Sequence, residues 1–289
     1  MKVVILAGGL GTRLSEETSV RPKPMVEVGG KPILWHIMRH YAHFGYKDFV
    51  VCCGYKGEVI KEFFLNYRSI SSDFSIDLGS GNVEFHSPAG EDWKVTLVDT
   101  GAASMTGGRV RRVRDIIGDE PFCLTYGDGL SNVPIDRLVA FHQAQGKWAT
   151  VTAVLQPGRF GALGMSEDGR DVTGFREKGT QDGGHINGGF YVCQPEVFDL
   201  IRDDATIWER DPMERLVELN QLAAYRHDDF WQCMDTLRDK TVLEELWARP
   251  DCPWRQVYAG QPAIAPVPGS ADAAADEKVA FLPRAKQTA

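Results

Sequence analysis

Val3-Val4-Ile5-Leu6-Ala7-Gly8-Gly9-Leu10-Gly11-Thr12-Arg13-Leu14 is the stretch from which the rest of the chain is best read. Residues 3–7 are apolar and partly β-branched, which predicts a short buried strand. Glycines follow at 8, 9 and 11. Lacking a Cβ, they let backbone pass close to a phosphate or nucleotide, with several N–H groups turned toward it. Two known nucleotide loops do not fit. The dinucleotide fingerprint would need a further glycine at position 14, where Leu14 stands. A Walker A loop ending at Gly30-Lys31 would need Ser or Thr next and a glycine at 25, and the chain has Pro32 and Met25. A plain turn is the remaining alternative.

Outward from that loop, strand-like and helix-like stretches alternate. Residues 31–44 form an amphipathic pattern with Pro32 at its start and Gly45 past its end, the asymmetry that helix termini favour. A strand at 49–53 and a helix at 57–67 follow, then a strand at 95–98 and a helix at 106–117. A strand at 122–126, a helix at 135–145 and a strand at 151–155 complete the first part. Such βαβα order predicts a doubly wound α/β fold, its sheet mostly parallel and covered by helices on both faces. Beyond it, residues 162–165 and 172–175 flank Glu167-Asp168-Gly169 as a β-hairpin, followed by a strand at 186–193 and helices around 213–221 and 236–247. Residues 259–289 hold 10 Ala and 4 Pro without apolar periodicity, so a flexible tail outside the packed domain is expected.

Composition narrows the class. The 289 residues are 43% hydrophobic and include 7 Trp, 8 Tyr and 14 Phe, which suits a large packed core. A net charge of −8 argues against a general nucleic-acid binder, so any anionic substrate must meet local, placed cations. No apolar run approaches a membrane span, and residues 3–7 are too short for a signal-peptide core; a cytoplasmic protein is expected. The six cysteines contain no C-x-x-C pair, and four of them (Cys52, Cys53, Cys123 and Cys193) lie in strand-like runs, as reduced buried hydrophobes would.

Cations occur where the loop needs them. In Arg21-Pro22-Lys23-Pro24-Met25, prolines on both sides of Lys23 predict an extended path that presents the lysine with little freedom. With Arg13, it makes a phosphate clamp beside the glycines. Four arginines crowd residues 109–114. On a helical wheel Arg109 falls within the arc of Val110, Val113, Ile116 and Ile117, near the anion-attracting helix start; Arg111 points away, and Arg111, Arg112 and Arg114 read as solvated charge. His36, His40 and His43 share one side of the first long helix but lack the Glu of a zinc protease helix, so they read as boundary histidines and not as ligands.

The loop, the Pro-Lys-Pro-Met element and several later motifs together resemble the sugar-1-phosphate nucleotidyltransferases, and within them the glucose-1-phosphate cytidylyltransferase branch. Ser15-Glu16-Glu17-Thr18, Cys52-Cys53-Gly54-Tyr55-Lys56-Gly57, Thr125-Tyr126-Gly127-Asp128-Gly129, Ile186-Asn187-Gly188-Gly189-Phe190 and Met234-Asp235-Thr236-Leu237-Arg238-Asp239-Lys240 carry the likeness, which runs in order over residues 1 to about 258. The wider family often has proline within the stretch 15–18, and its absence here favours the cytidylyl branch. The resemblance implies one nucleotidyltransferase domain over 1–258, with a nucleotide-binding half at 1–150 and a sugar-binding half at 151–258. It implies that CTP and glucose 1-phosphate react to CDP-glucose and pyrophosphate with Mg²⁺, in a homo-oligomer. By the same likeness Arg13 and Lys23 are catalytic, and Asp128 and Asp235 hold the metal. Leu6, Ala7, Gly8, Gly9, Leu10, Gly11, Thr12, Ser104, Arg109 and Gly127 would join Arg13 and Lys23 against the substrates. Glu177 and Lys178, followed by Gly179 where the family usually has proline, would meet the sugar and its phosphate, as would Asn187.

The residues support part of this without the likeness. Asp128 follows the strand 122–126, at the end where open α/β sheets bind ligands, although an Asp between glycines is also a common turn former. Two carboxylates with substrate phosphates are an ordinary Mg²⁺ ligand set. A related enzyme using another nucleotide or hexose, and a non-catalytic sugar-nucleotide sensor on the same fold, are the alternatives.

Overall fold

The computed structural model describes residues 1–87, 90–155, 162–165, 172–176 and 185–255. Seven strands make one sheet: β1 (Lys2–Ala7), β2 (Asp48–Cys53), β3 (Lys94–Asp99), β4 (Phe122–Tyr126), β5 (Ala149–Val154), β6 (Ile186–Cys193) and β7 (Leu222–His227). Their spatial order is β7-β5-β6-β4-β1-β2-β3. Neighbours are parallel except around β6, which runs antiparallel to both β4 and β5. The expected doubly wound, mostly parallel sheet is therefore present, and a single strand makes it mixed. Strands from both expected halves of the chain share this sheet.

Side-chain alternation builds two cores. Val3, Ile5 and Ala7 of β1 face one layer with Phe49, Val51 and Cys53 of β2. Val4 and Leu6 face the other, with Val50, Cys52, Phe122 and Leu124. The first layer is closed by α1 (Ile33–His43), α2 (Gly57–Leu65), α4 (Ile135–Gln145) and α6 (Leu237–Ala248), while α3 (Thr106–Arg111) lies across the sheet. The second is closed by α3 and by α5 (Asp211–Glu218), together with the buried Trp208. Strands buried on both faces need apolar residues throughout, which is why they stood out in the sequence.

Three expectations change. The helix expected over 106–117 is two pieces, α3 and a short turn at Arg114–Ile117. The break is a tightened i→i+3 bond, Val113 N–H to Val110 O at 3.2 Å. It aims Arg112 and Arg114 at Asp204 and Asp199, which they meet as exposed ion pairs. His36 and His40 are not at a boundary but fully inside the α1 core, each donating Nε2–H to a backbone carbonyl (Val28 and Val133) at 2.8 Å. Lys23 is not in an extended run. Pro22 is extended, but Lys23–Met25 turns as a 3-10 helix closed by Met25 N–H to Pro22 O at 2.8 Å, a path that the fixed φ of Pro24 fits.

The hairpin is present as Ala162–Met165 paired antiparallel with Val172–Arg176. Its turn at 167–169 and the tail at 259–289 lie outside the described residues, as do Glu177 and Lys178.

Candidate active site

The chain winds from β1 to β2 and β3 on one side, then returns past β1 to lay β4 on its other flank. The carboxyl ends of β1 and β4 meet at that switch in the strand order, the place where such sheets bind ligands. The glycine loop fills the end of β1, and Gly127-Asp128 fills the end of β4. Gly127 N–H donates to Leu6 O at 3.0 Å, so the two ends are tied together. A Cβ on Gly127 would lie 2.9 Å from Pro24 Cγ, which brings the Lys23 turn onto the same floor.

The loop is shaped from below. Gly11 sits in the left-handed region (φ 63°) and starts the turn Thr12–Leu14. Thr18 Oγ1 donates to Gly11 O and Leu14 O at 3.1 and 3.0 Å. Arg109 is only 4% exposed. Its guanidinium donates to Thr100 Oγ1 and Gly101 O at 2.8 Å, to Gly8 O at 3.0 Å and to Cys53 O at 3.2 Å. The inward arc read from the sequence is thus where Arg109 lies, and it ties Gly8 of the loop to Cys53 and to Thr100-Gly101 at the ends of β2 and β3. A side chain at Gly8 would collide with it, since a Cβ there would be 2.2 Å from its Nη1.

Charge converges above this floor. Lys23 Nζ lies 2.7 Å from Asp128 Oδ2 and 2.5 Å from Asp235 Oδ1, and Arg13 Nη1 lies 2.7 Å from Asp235 Oδ2. Burial pulls the Lys23 ammonium toward neutrality, but Asp128 and Asp235 outweigh it and raise its pKa, so it stays charged. Asp235 is brought to Asp128 by a short antiparallel ladder, Gly129–Ser131 with Trp231–Cys233, extended by Met234 N–H to Asp128 O at 2.8 Å. Asp239 then holds it. One oxygen, Asp239 Oδ2, accepts the N–H groups of Asp235 and Thr236 at 3.1 and 2.9 Å, while Thr236 caps α6 in return.

Two adjoining cavities open here. One, of about 350 Å³, is lined by Leu6, Ala7, Gly8, Gly9, Gly11, Thr12, Arg13, Lys23, Ser104, Arg109, Gly127 and Asp128 among others. The structure thus gathers around one cavity these residues, expected from the sequence to meet the substrates, with Leu10 the exception at 59% exposed. The second, of about 220 Å³, is lined by Asn187, Gly188, Trp231, Asp128 and Asp235. Asn187 Oδ1 accepts Gly189 N–H at 2.9 Å, and its amide meets the Tyr191 hydroxyl. Arg13, Tyr126 and Asp128 line both cavities.

Sequence reasoning assigned no role to Tyr126, Glu209 or Asp239. Tyr126 lines both cavities, and its hydroxyl donates to Glu209, which also accepts from Thr106 Oγ1 at 2.6 Å. Burial, with Tyr191 and Glu209 nearby, pushes that hydroxyl far above its usual pKa, so it remains a donor. Only Asp239 left a local signal, the Thr236-x-x-Asp239 capping pattern.

The profile of the family described as nucleotidyl transferase matches residues 2–237. A glucose-1-phosphate cytidylyltransferase of Salmonella typhi is 55% identical over 256 residues, covering 88% of this chain and 99% of that protein. A probable glucose-1-phosphate cytidylyltransferase of Bacillus subtilis is 44% identical over the same span. Among solved structures, a UDP-glucose pyrophosphorylase from Acinetobacter baumanii superposes with a TM-score of 0.64 at 16% identity, over 88% of this chain and 96% of that one, a likeness of fold. With glycine loop, cations and carboxylates gathered at the switch point of its sheet, the chain belongs to the nucleotidyl transferase family.

Proposed function

We propose that the enzyme transfers the cytidylyl group of CTP to glucose 1-phosphate, giving CDP-glucose and pyrophosphate. The observation that carries this reading is the convergence of Arg13, Lys23, Asp128 and Asp235 beside the braced glycine loop. The 55% identity to the Salmonella typhi cytidylyltransferase supports the choice of nucleotide and sugar.

A sugar phosphate oxygen attacks the α-phosphorus in line; one P–O bond forms, and the bond to the β-phosphate breaks as pyrophosphate leaves. The nucleophile needs no general base, because a phosphate monoester with a second pKa near ~6 is mostly dianionic at pH 7. What must be overcome is repulsion between polyanions. Arg13 and Lys23 offset that charge and orient the phosphates, and the loop N–H groups provide further fixed donors. Asp128 and Asp235 fit Mg²⁺, since their oxygens already surround one cation, the Lys23 ammonium. Bound there, Mg²⁺ would supply positive charge to the triphosphate. Asn187 and the wall of the second cavity would receive the sugar, along with Glu177 and Lys178.

The same reading sets the enzyme in the cytoplasm, as six free cysteines, five of them buried, suit a reducing compartment. It also makes the enzyme a homo-oligomer. Pyrophosphate release from a panel of nucleoside triphosphates and hexose 1-phosphates tests the substrates. CTP with glucose 1-phosphate is expected to lead; a faster rate with UTP or dTTP would overturn the choice of nucleotide.

A further inference from the structure

The residues Lys23 and Arg13, which the proposed function assigns to the phosphates, are paired in the structure with those that it assigns to the metal. Lys23 bridges Asp128 and Asp235, and Arg13 reaches in from solvent to the remaining oxygen of Asp235. The side chains of Lys23 and Asp235 are 11% and 15% exposed, so this bridge is sheltered and not an ordinary surface pair. Within this set two cations balance two carboxylates, so the four residues together offer a polyphosphate no net positive charge.

We infer that the site exchanges ion partners on loading: Lys23 and Arg13 are resident counter-ions of the metal carboxylates and turn to the phosphates only when a divalent cation takes their place. This rests on the proposed function for the roles of the four residues. A dication held by Asp128 and Asp235 repels an ammonium within hydrogen-bond distance of the same oxygens. A polyphosphate binding alone must strip Lys23 and Arg13 from their carboxylates and leave those carboxylates facing it. Each ligand therefore removes the obstacle to the other, and such coupling is reciprocal. The backbone does not have to move. Asp128 and Asp235 stay tied by the Met234 N–H bond and by Asp239, so the change is confined to two flexible side chains.

The consequence is unusual for a pair of required carboxylates: neutralising one should tighten metal-free binding. The test is binding of inorganic pyrophosphate and of CTP in EDTA, measured by calorimetry on the full chain, with circular dichroism as a check on folding. Asp235→Asn releases Arg13 and half of the hold on Lys23, and is expected to bind both probes about tenfold more tightly than the wild type. Asp128→Asn, which frees Lys23 from its other partner, is expected to shift in the same direction. Adding Arg13→Gln to Asp235→Asn should cancel most of the gain, an outcome that a loosened fold would not produce. Wild-type protein should reach comparable affinity only when Mg²⁺ is supplied. If both single variants fold and bind pyrophosphate in EDTA no better than the wild type, the exchange is wrong. If pyrophosphate shows the gain but CTP does not bind with or without Mg²⁺, the exchange stands and the cytidine reading falls.

Discussion

Lys23 and Arg109 show how differently two buried cations can serve one site. Lys23 ends in the cleft against carboxylates, whereas Arg109 is buried and spends its N–H groups joining Gly8 of the loop to Cys53, Thr100 and Gly101. Lys23→Met keeps the aliphatic stem and removes the charge beside the reacting phosphates. At saturating substrates and Mg²⁺ it is expected to lower kcat while changing the KM for CTP little, by the ~2.7–4 kcal/mol that one preorganised electrostatic contact contributes. Steady-state kinetics with both substrates varied decides this; an unchanged kcat with a raised KM would reduce Lys23 to a binding group. Arg109→Ala removes the donor that Gly101 O accepts, at about 1–3 kcal/mol for a group left unsatisfied, and takes one donor each from Gly8 O and Cys53 O, which keep Tyr55 N–H and Thr100. It should lower both Tm and kcat/KM, whereas Arg111→Ala, on the exposed side of α3, should stay within about 0.5 kcal/mol of the wild type. Equal small losses from both would show that the loop does not depend on its brace. Arg109 was legible as an inward residue because helical spacing fixes direction. Its partners were not, since they come from three separate loop ends. The Lys23–Asp235 contact spans 212 positions and likewise has no local signature.

At the scale of elements, the strands that run through two cores were legible because they are apolar almost throughout. β7 was missed: Leu-Ala-Ala-Tyr-Arg-His lies at the sheet edge, where half its side chains face out, and its alternation is weak. The ladder joining Gly129–Ser131 to Trp231–Cys233 was missed for another reason. Its strands are three residues long, too short for periodicity, yet they deliver Asp235 to Asp128. Helix α6 was expected one residue early, and that residue, Thr236, is its cap. The cap links element to site because Asp239 grips the backbone of both Thr236 and Asp235. Asp239→Ala should therefore cost about 1 kcal/mol of stability, the usual loss for a helix cap, and also raise the Mg²⁺ concentration needed for half-maximal rate. Asp251→Ala, which breaks an exposed pair with Arg249, should do neither. A lowered Tm with an unchanged Mg²⁺ requirement would confine Asp239 to capping.

Across the whole molecule, the layer beneath α1 carries a dependence on pH that the sequence did not announce. The stripe that placed His36 and His40 at the edge of α1 is an average over the helix; the surrounding Trp247, Trp254, Phe44 and Phe190 rings close over both imidazoles and remove them from water. Burial lowers the pKa of each to about 4, against an ordinary value of 6.5. Between those values the unfolded chain binds protons that the native state excludes. Stability is therefore full above about pH 6.5 and falls as pH drops toward 4, the direction linkage requires when the folded pKa is depressed. Each histidine should account for about 2 kcal/mol of the loss between pH 7 and pH 5. His142 and His227, also lowered by burial, add to the slope in the same direction. Urea unfolding at the two pH values measures the total, and His40→Gln isolates one part. Glutamine keeps an N–H for the Val133 carbonyl but cannot take up a proton, so the variant should start less stable at pH 7 and lose about 2 kcal/mol less on acidification. An equal fall in wild type and variant would mean that His40 is protonated in the native state and that the core admits water beside it.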